Sequence, residues 1–308
     1  MTMTEADLAA LAMTPTDEDI ARSRHDARGG ARPFLKWAGG KAKLMPQIRP
    51  LLPRRFGRYH EPFLGGGAMF FELMPTRARL ADTNEELVTT WGVVQHDPDS
   101  LIQALAELRY DRDEYYRIRA QDPAALSYCA LGARMIYLNK CGFNGLYRVN
   151  SKGKFNVPFG RYDDPVICDA GNILACHRAL RRPDGVTDKG ADRDVQIFCA
   201  PFEKVLGIAE RGDFVYFDPP YVPTSDTANF TAYGAEKFDE ADQRRLADVF
   251  RELSDDGVLC MLSNSDTPLV RELYADYPIR EVTRSGNISS NAKGRARVTE
   301  VVVRSDVW

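Results

Sequence analysis

Phe214-Val215-Tyr216-Phe217 is an unbroken apolar run that ends on Asp218-Pro219-Pro220-Tyr221. Four consecutive apolar residues bounded by turn residues predict a strand buried on both faces, the kind a parallel sheet covered by helices requires. The proline pair ends it, because neither ring nitrogen can donate to a ladder. Beyond the strand, a carboxylate, a prolyl carbonyl and an aromatic face come to one small volume. Such a set suits a planar heterocycle with an exocyclic amine, offering two acceptors for its N–H groups and a ring to stack on. Taken alone, the tetrad fits a plain strand-to-loop turn as well.

The surrounding pattern supplies the rest of a sheet. Tyr59-His60-Glu61 predicts a strand that passes through Pro62-Phe63-Leu64-Gly65-Gly66-Gly67 into a helix over 68–74, and a second strand at 79–82 ends on Asp82. From 87 to 179 the periodicity is mostly helical (Leu101, Leu105, Leu108; Leu131, Met135, Leu138). It is interrupted by a predicted hairpin, in which 147–150 and 155–157 flank the turn Ser151-Lys152-Gly153-Lys154. A charged loop with Gly and Pro covers 181–194, and strands resume at 195–199, 214–217, 258–263 and 297–303. Helices are predicted between them, over 239–253 and 267–274. This alternation predicts an α/β fold around a largely parallel sheet, with the helical block as an insertion. The division expected is a mobile N-terminal extension (1–31), a sheet domain from 32–86 and 195–308, and an inserted subdomain with its linker loop (87–194).

No apolar run approaches the roughly 20 residues of a transmembrane helix, and the opening Met1-Thr2-Met3-Thr4-Glu5 lacks the basic region of a secretory signal. The six cysteines form no C-x-x-C pair and the four histidines are scattered. Neither a disulfide framework nor a zinc site is therefore indicated. A reduced, cytoplasmic, metal-free protein without a membrane or obligatory protein partner is the expectation. A net charge of −3 argues against a nucleic-acid partner, but its distribution argues for one. Ala27 to His60 holds nine Lys or Arg and no acid, Pro123 to Tyr162 six and none, and Val282 to Thr299 four and none. Three acid-free basic blocks in an acidic chain predict one electropositive face for a polyanion.

Ligands of such sheets bind beyond the carboxyl ends of the strands. There Gly65-Gly66-Gly67 permits close backbone approach, and Asp82 can accept hydrogen bonds from ribose hydroxyls. The turn lacks the G-x-G-x-x-G spacing of a dinucleotide site. A nucleoside cofactor beside an amine-bearing planar substrate uses all three strand ends.

With these residues in hand, the chain closely resembles the DNA adenine methyltransferases, the Dam-like α-group N6-adenine enzymes. The carriers are Pro33-Phe34-Leu35-Lys36-Trp37-Ala38-Gly39-Gly40-Lys41, the Glu61–Gly67 turn, and the tetrad with Ala228-Asn229-Phe230-Thr231. Further carriers are the hairpin block from Asn139-Lys140-Cys141-Gly142-Phe143-Asn144-Gly145-Leu146-Tyr147-Arg148 to Phe155-Asn156-Val157-Pro158-Phe159-Gly160-Arg161. Ser263-Asn264 and Ile288-Ser289-Ser290 complete the order, so the similarity spans about 32 to 303.

The resemblance implies a Rossmann-like S-adenosylmethionine-dependent methyltransferase sheet with an inserted, mainly helical target-recognition subdomain carrying the hairpin. It implies a monomeric, nucleoid-associated enzyme that methylates adenine N6 in double-stranded DNA within GATC by base flipping. Asp218, Pro219, Pro220 and Tyr221 would be catalytic. Trp37, Lys41, Phe63, Gly65, Gly67, Asp82 and Phe202 would join Asp218 around the cofactor, whose product is S-adenosylhomocysteine. Lys36 would meet the first base pair, Phe143 would wedge into the stack, and Asn144 would fill in beside the unpaired thymine. Leu146 and Pro158 would touch a thymine methyl and Arg148 a guanine edge, with Lys140, Lys152, Lys154 and Arg161 as further DNA contacts. Cys199-Ala200-Pro201-Phe202 stands where many relatives carry a carboxylate before the phenylalanine, which leaves open the group that meets the cofactor's adenine amine. Lys140 replaces an arginine of some relatives, and a point charge cannot form a bidentate fork. RNA adenine or protein-glutamine methyltransferases share the tetrad but usually lack the Lys36-Trp37 motif and the hairpin. A DNA-binding protein with an inactive methyltransferase fold is disfavoured by the presence of Asp82, Asp218 and Tyr221.

Overall fold

The computed structural model of the protein describes residues 30–37, 39–181, 194–223, 238–284 and 298–305. Outside them lie residues 1–29 of the expected extension, 182–193 of the charged loop, the motifs at 228–231 and 288–290, and most of the last basic block.

The strands are β1 (Tyr59–Glu61), β2 (Arg77–Asp82), β3 (Asp194–Cys199), β4 (Phe214–Phe217), β5 (Leu259–Ser265), β6 (Ile279–Arg284) and β7 (Val298–Arg304). The helices are α1 (Met45–Ile48), α2 (Ala68–Leu73), α3 (Glu85–His96), α4 (Pro98–Ala106), α5 (Arg112–Arg119), α6 (Tyr128–Cys141), α7 (Ala170–Leu180), α8 (Glu240–Asp255) and α9 (Pro268–Leu273). One sheet has the order β3-β2-β1-β4-β5-β7-β6. β1 to β5 pair in parallel, and β7 runs antiparallel between β5 and β6. This is the doubly wound order 3-2-1-4-5 with an antiparallel pair added at one edge.

β4 shows why its sequence is apolar throughout. Phe214 and Tyr216 enter one core with Trp91 of α3, while Val215 and Phe217 enter the other with Leu246 and Phe250 of α8. The unexpected strand is β6, whose Arg280, Glu281 and Thr283 are exposed. Charges on an edge strand discourage pairing with other chains and also hide the strand from a hydrophobic pattern.

α3 starts where the Asn84 side chain accepts from the Leu87 N–H at 3.1 Å, and α8 starts on a capping box of Asp239 and Asp242. Between β2 and β3, α3 packs on both strands, and α6 packs on α3, α4 and α5. A smaller core of Tyr115, Tyr137, Phe155 and Val157 lies under the hairpin. The two hairpin strands expected there reduce to a single bridge between Val149 and Phe155. The Asn150 side chain accepts from the N–H groups of Lys152 (2.9 Å) and Lys154 (3.1 Å), while the main chain keeps two bonds across the hairpin, from the Asn150 N–H to the Lys154 carbonyl (2.9 Å) and from the Asn156 N–H to the Arg148 carbonyl (3.0 Å).

Candidate active site

The chain leaves β1 for β2 and β3 on one side of the sheet and returns to β4 and β5 on the other. At this switch point, beyond the strands' carboxyl ends, opens a cleft of about 1560 Å³ lined by both the glycine turn and the tetrad.

The glycine turn is clamped between two indoles. Gly65 (φ +47°) and Gly67 (φ +66°) sit where L side chains are strained. A Cβ on Gly65 would lie 2.7 Å from Trp37, and one on Gly67 2.5 Å from Trp91. Trp91 also donates its indole N–H to the Gly65 carbonyl at 3.1 Å. At the end of β2, Asp82 Oδ2 accepts from the Gly65 N–H and Oδ1 from the Asn84 N–H, each at 3.0 Å. Burial raises the Asp82 pKa and these backbone donors oppose the rise. Beside the turn, Phe63 stacks on Phe202 with centroids 5.4 Å apart, and Phe238 meets both rings edge-on.

At the end of β4, Asp218 pairs with Lys41, whose Nζ lies 2.6 Å from Oδ1 and 2.7 Å from Oδ2. Lys41 is only 1% exposed and also donates to the Gly39 carbonyl at 2.6 Å. Its ammonium stands 4.8 Å above the centre of the Tyr221 ring. Burial raises the Asp218 pKa, and Lys41 pulls it back. Glu61 lies buried behind, accepting from the Tyr59 hydroxyl at 2.8 Å, and burial likewise raises its pKa. The outgoing loop is held by amides: Gln243 donates to the Pro220 carbonyl at 2.9 Å, and Asn264 Oδ1 accepts from the Val222 N–H at 3.2 Å. Asn264 in turn donates to Gln243 at 3.0 Å.

The hairpin block joins this site through Asn139. Its Oδ1 accepts from the Lys36 N–H (2.8 Å), and its Nδ2 donates to the carbonyls of Lys36 (2.7 Å) and Gly145 (2.9 Å). Phe143, 48% exposed, stands on the following turn, which Asn144 (φ 55°) and Gly145 (φ 64°) shape. Arg148 is exposed and donates from Nε to Asn156 Oδ1 at 2.7 Å. Asn144, Lys152, Lys154 and Pro158 are exposed, and Leu146 is half-buried. A second cavity of about 560 Å³ brings Arg32, Lys36, Lys140 and Arg161 together with Asp163, Asp164 and Asp169. Burial, followed by the charge of Lys36, lowers the Lys140 pKa, and Asp169 opposes the fall.

Every residue expected at the cofactor or the reacting amine lines the large cleft. Sequence reasoning assigned no role to Glu61, Asn139, Gln243 or Glu300. For Glu61 and Glu300 a signal existed: an acid inside a strand otherwise fit for burial.

The D12 class N6 adenine-specific DNA methyltransferase family model matches residues 37–288. The chain belongs to this family. It is 41% identical over 278 residues to the Type II methyltransferase M1.LlaDCHI of Lactococcus lactis subsp. cremoris, covering 88% of this chain and 94% of the relative. It is 38% identical over 288 residues to the Type II methyltransferase M.MjaIII of Methanocaldococcus jannaschii, covering 86% and 95%. It is 34% identical over 275 residues to the DNA adenine methylase of Escherichia coli K12, covering 88% and 94%. The protein is thus an adenine-specific DNA methyltransferase that uses S-adenosylmethionine.

The cleft fits that cofactor chemically. S-adenosylmethionine carries a sulfonium and an ammonium, and the walls present the carboxylates of Glu61, Asp82 and Asp218. The bare glycine backbone admits close approach, and the faces of Phe63, Phe202 and Phe238 suit a purine.

Proposed function

We propose that this D12 methyltransferase modifies adenine N6 within GATC of double-stranded DNA and reaches its target by flipping the base out of the helix. One observation carries the reading: the glycine turn with Asp82 and the Asp218–Tyr221 tetrad open into the same cleft, which extends to Val149 and Gly153 of the hairpin. A methyl donor and a DNA base can therefore be held face to face beside a DNA-reading element.

The amine of adenine is a weak nucleophile because its lone pair is delocalised into the ring. The Asp218 carboxylate and the Pro219 carbonyl accept its two N–H groups, which favours a pyramidal nitrogen with its lone pair directed out of the ring plane. Tyr221 supplies the stacking lost when the base leaves the duplex, a cost of a few kcal/mol. S-adenosylmethionine supplies a methyl group on a sulfonium, with a neutral thioether as leaving group. The protein's contribution is alignment for in-line displacement and a negative charge beside the nitrogen that becomes positive. Asp218 need not be a strong base, since the amine proton becomes acidic only as the N–C bond forms.

Recognition rests on the hairpin in this reading. Exposed Phe143 wedges into the stack, and Asn144 fills the space by the unpaired thymine. Leu146 and Pro158 touch a thymine methyl, and Arg148 meets the O6 and N7 acceptors of a guanine. Lys36 meets the first base pair, and Lys140, Lys152, Lys154 and Arg161 meet the backbone. The recognition unit would be the 87–194 insertion, on a catalytic unit made of 32–86 and 195–308. The test is transfer of labelled methyl to duplex DNA, followed by digestion with nucleases that differ in their sensitivity to GATC methylation. Label in adenine with unchanged GATC digestion would refute the site assignment, and label outside adenine the mechanism.

A further inference from the structure

Glu300 is an acid in a strand that otherwise has the makings of a core. It follows Thr299, precedes Val301-Val302-Val303, and is 3% exposed. On β7 it pairs with Ser265 at the end of β5 and with Val282 of β6, which brings it to the cleft wall at the same end of the sheet as the tetrad. A carboxylate in such a place is costly unless it receives hydrogen bonds. One donor is the Tyr221 hydroxyl, 2.8 Å from Oε2.

The Tyr221 backbone is already fixed on both sides, with the Pro220 carbonyl taken by Gln243 and the Val222 N–H by Asn264. The ring lies under the Lys41 ammonium, and the bond to Glu300 fixes its far end.

We propose that Glu300 is a positioning residue for methyl transfer: by accepting a hydrogen bond from the Tyr221 hydroxyl it fixes the ring as a stacking surface for the base. This rests on the reading of the tetrad as the seat of a flipped adenine. In this proposal Glu300 touches neither reacting atom and acts through Tyr221.

A double-mutant cycle on the full chain tests it, with single-turnover methylation of a GATC duplex and S-adenosylhomocysteine affinity as separate readouts. Glu300→Ala and Tyr221→Phe should each slow transfer by about fivefold or more while leaving cofactor Kd within about twofold. The double variant should be within about twofold of the slower single variant, because both remove one interaction. Glu300→Gln, which keeps an acceptor oxygen, should recover most of the Glu300→Ala loss. Losses that multiply in the double variant, a failure of Gln to rescue, or a defect confined to cofactor affinity would overturn the proposal. If Glu300→Ala does not fold, Tyr221→Phe decides, and a loss under about twofold overturns it. Wild-type protein that leaves duplex adenine unmethylated refutes the functional reading itself. Normal wild-type transfer with multiplying losses refutes only the role of Glu300.

Discussion

Lys41 and Asp218, 177 positions apart, form the ion pair at the centre of the cleft, with the ammonium 2.6 and 2.7 Å from the two carboxylate oxygens. That ammonium also lies over the Tyr221 ring. It therefore holds the acceptor and the aromatic face that the proposed mechanism gives to adenine, and must yield them when the base enters.

The first prediction follows from the charges around Asp218, which are Lys41, Glu300 and Glu61, with the hydroxyl of Tyr221 beside them. Burial raises the Asp218 pKa and Lys41 lowers it, so Lys41→Met raises it further. Transfer requires the ionised carboxylate and fails as pH drops through its pKa. The acid limb of the single-turnover rate should thus move to higher pH in Lys41→Met. A limb that stays put or moves down contradicts the pairing as a functional one.

Asn139 makes three hydrogen bonds that tie the Lys36 segment to the turn at Gly145. Asn139→Ala leaves an N–H and two carbonyls without these partners, at about 1–3 kcal/mol for each group that stays dry. Urea unfolding should show a loss of about 2 kcal/mol or more, together with weaker GATC binding. A change below about 0.5 kcal/mol would mean that the joint is not structural.

What the sequence revealed and what it hid follow one physical line. β4, the glycine turn and the tetrad are legible because each depends on residues adjacent in the chain. The partners of Asp218 and Tyr221 are not, since Lys41 is 177 positions from one and Glu300 79 from the other. Only the packing of the fold brings them together. β6 escaped notice because its exposed charges erase the apolar alternation. The hairpin was legible as a turn whose flanks face each other at Val149 and Phe155, but not as one too short for two full strands, with the Asn150 side chain taking the Lys152 and Lys154 N–H groups.

Arg148 gives a prediction about specificity. Asn156 fixes its Nε and leaves the two terminal nitrogens for a guanine edge. Arg148→Ala should relax discrimination at one guanine position by about 1–3 kcal/mol, and Asn156→Ala should do so more weakly. Lys140→Ala should instead weaken binding to all sequences alike. Methylation profiles on sites one base pair from GATC would check this, and a uniform loss in Arg148→Ala would make Arg148 a backbone contact.

Lys152 and Lys154 are exposed at the hairpin tip. If each meets a phosphate, alanine at either position lowers the slope of log affinity against log salt by about one. Titrations at several ionic strengths would measure it. An unchanged slope would make the pair solvated surface only.

The central claim is that the carboxylate at the end of β4 directs the methyl group to adenine N6. The most direct test is to count N6-methyladenine by nucleoside mass spectrometry after a single turnover on a GATC duplex, for wild type and Asp218→Ala, with duplex affinity measured in parallel. The account predicts methylated adenine from wild type, none detectable from Asp218→Ala, and nearly equal affinities, since the carboxylate faces the amine and not the phosphates. Retention of more than about a tenth of the wild-type rate, a loss of only about 1.4 kcal/mol of transition-state stabilisation, would contradict it.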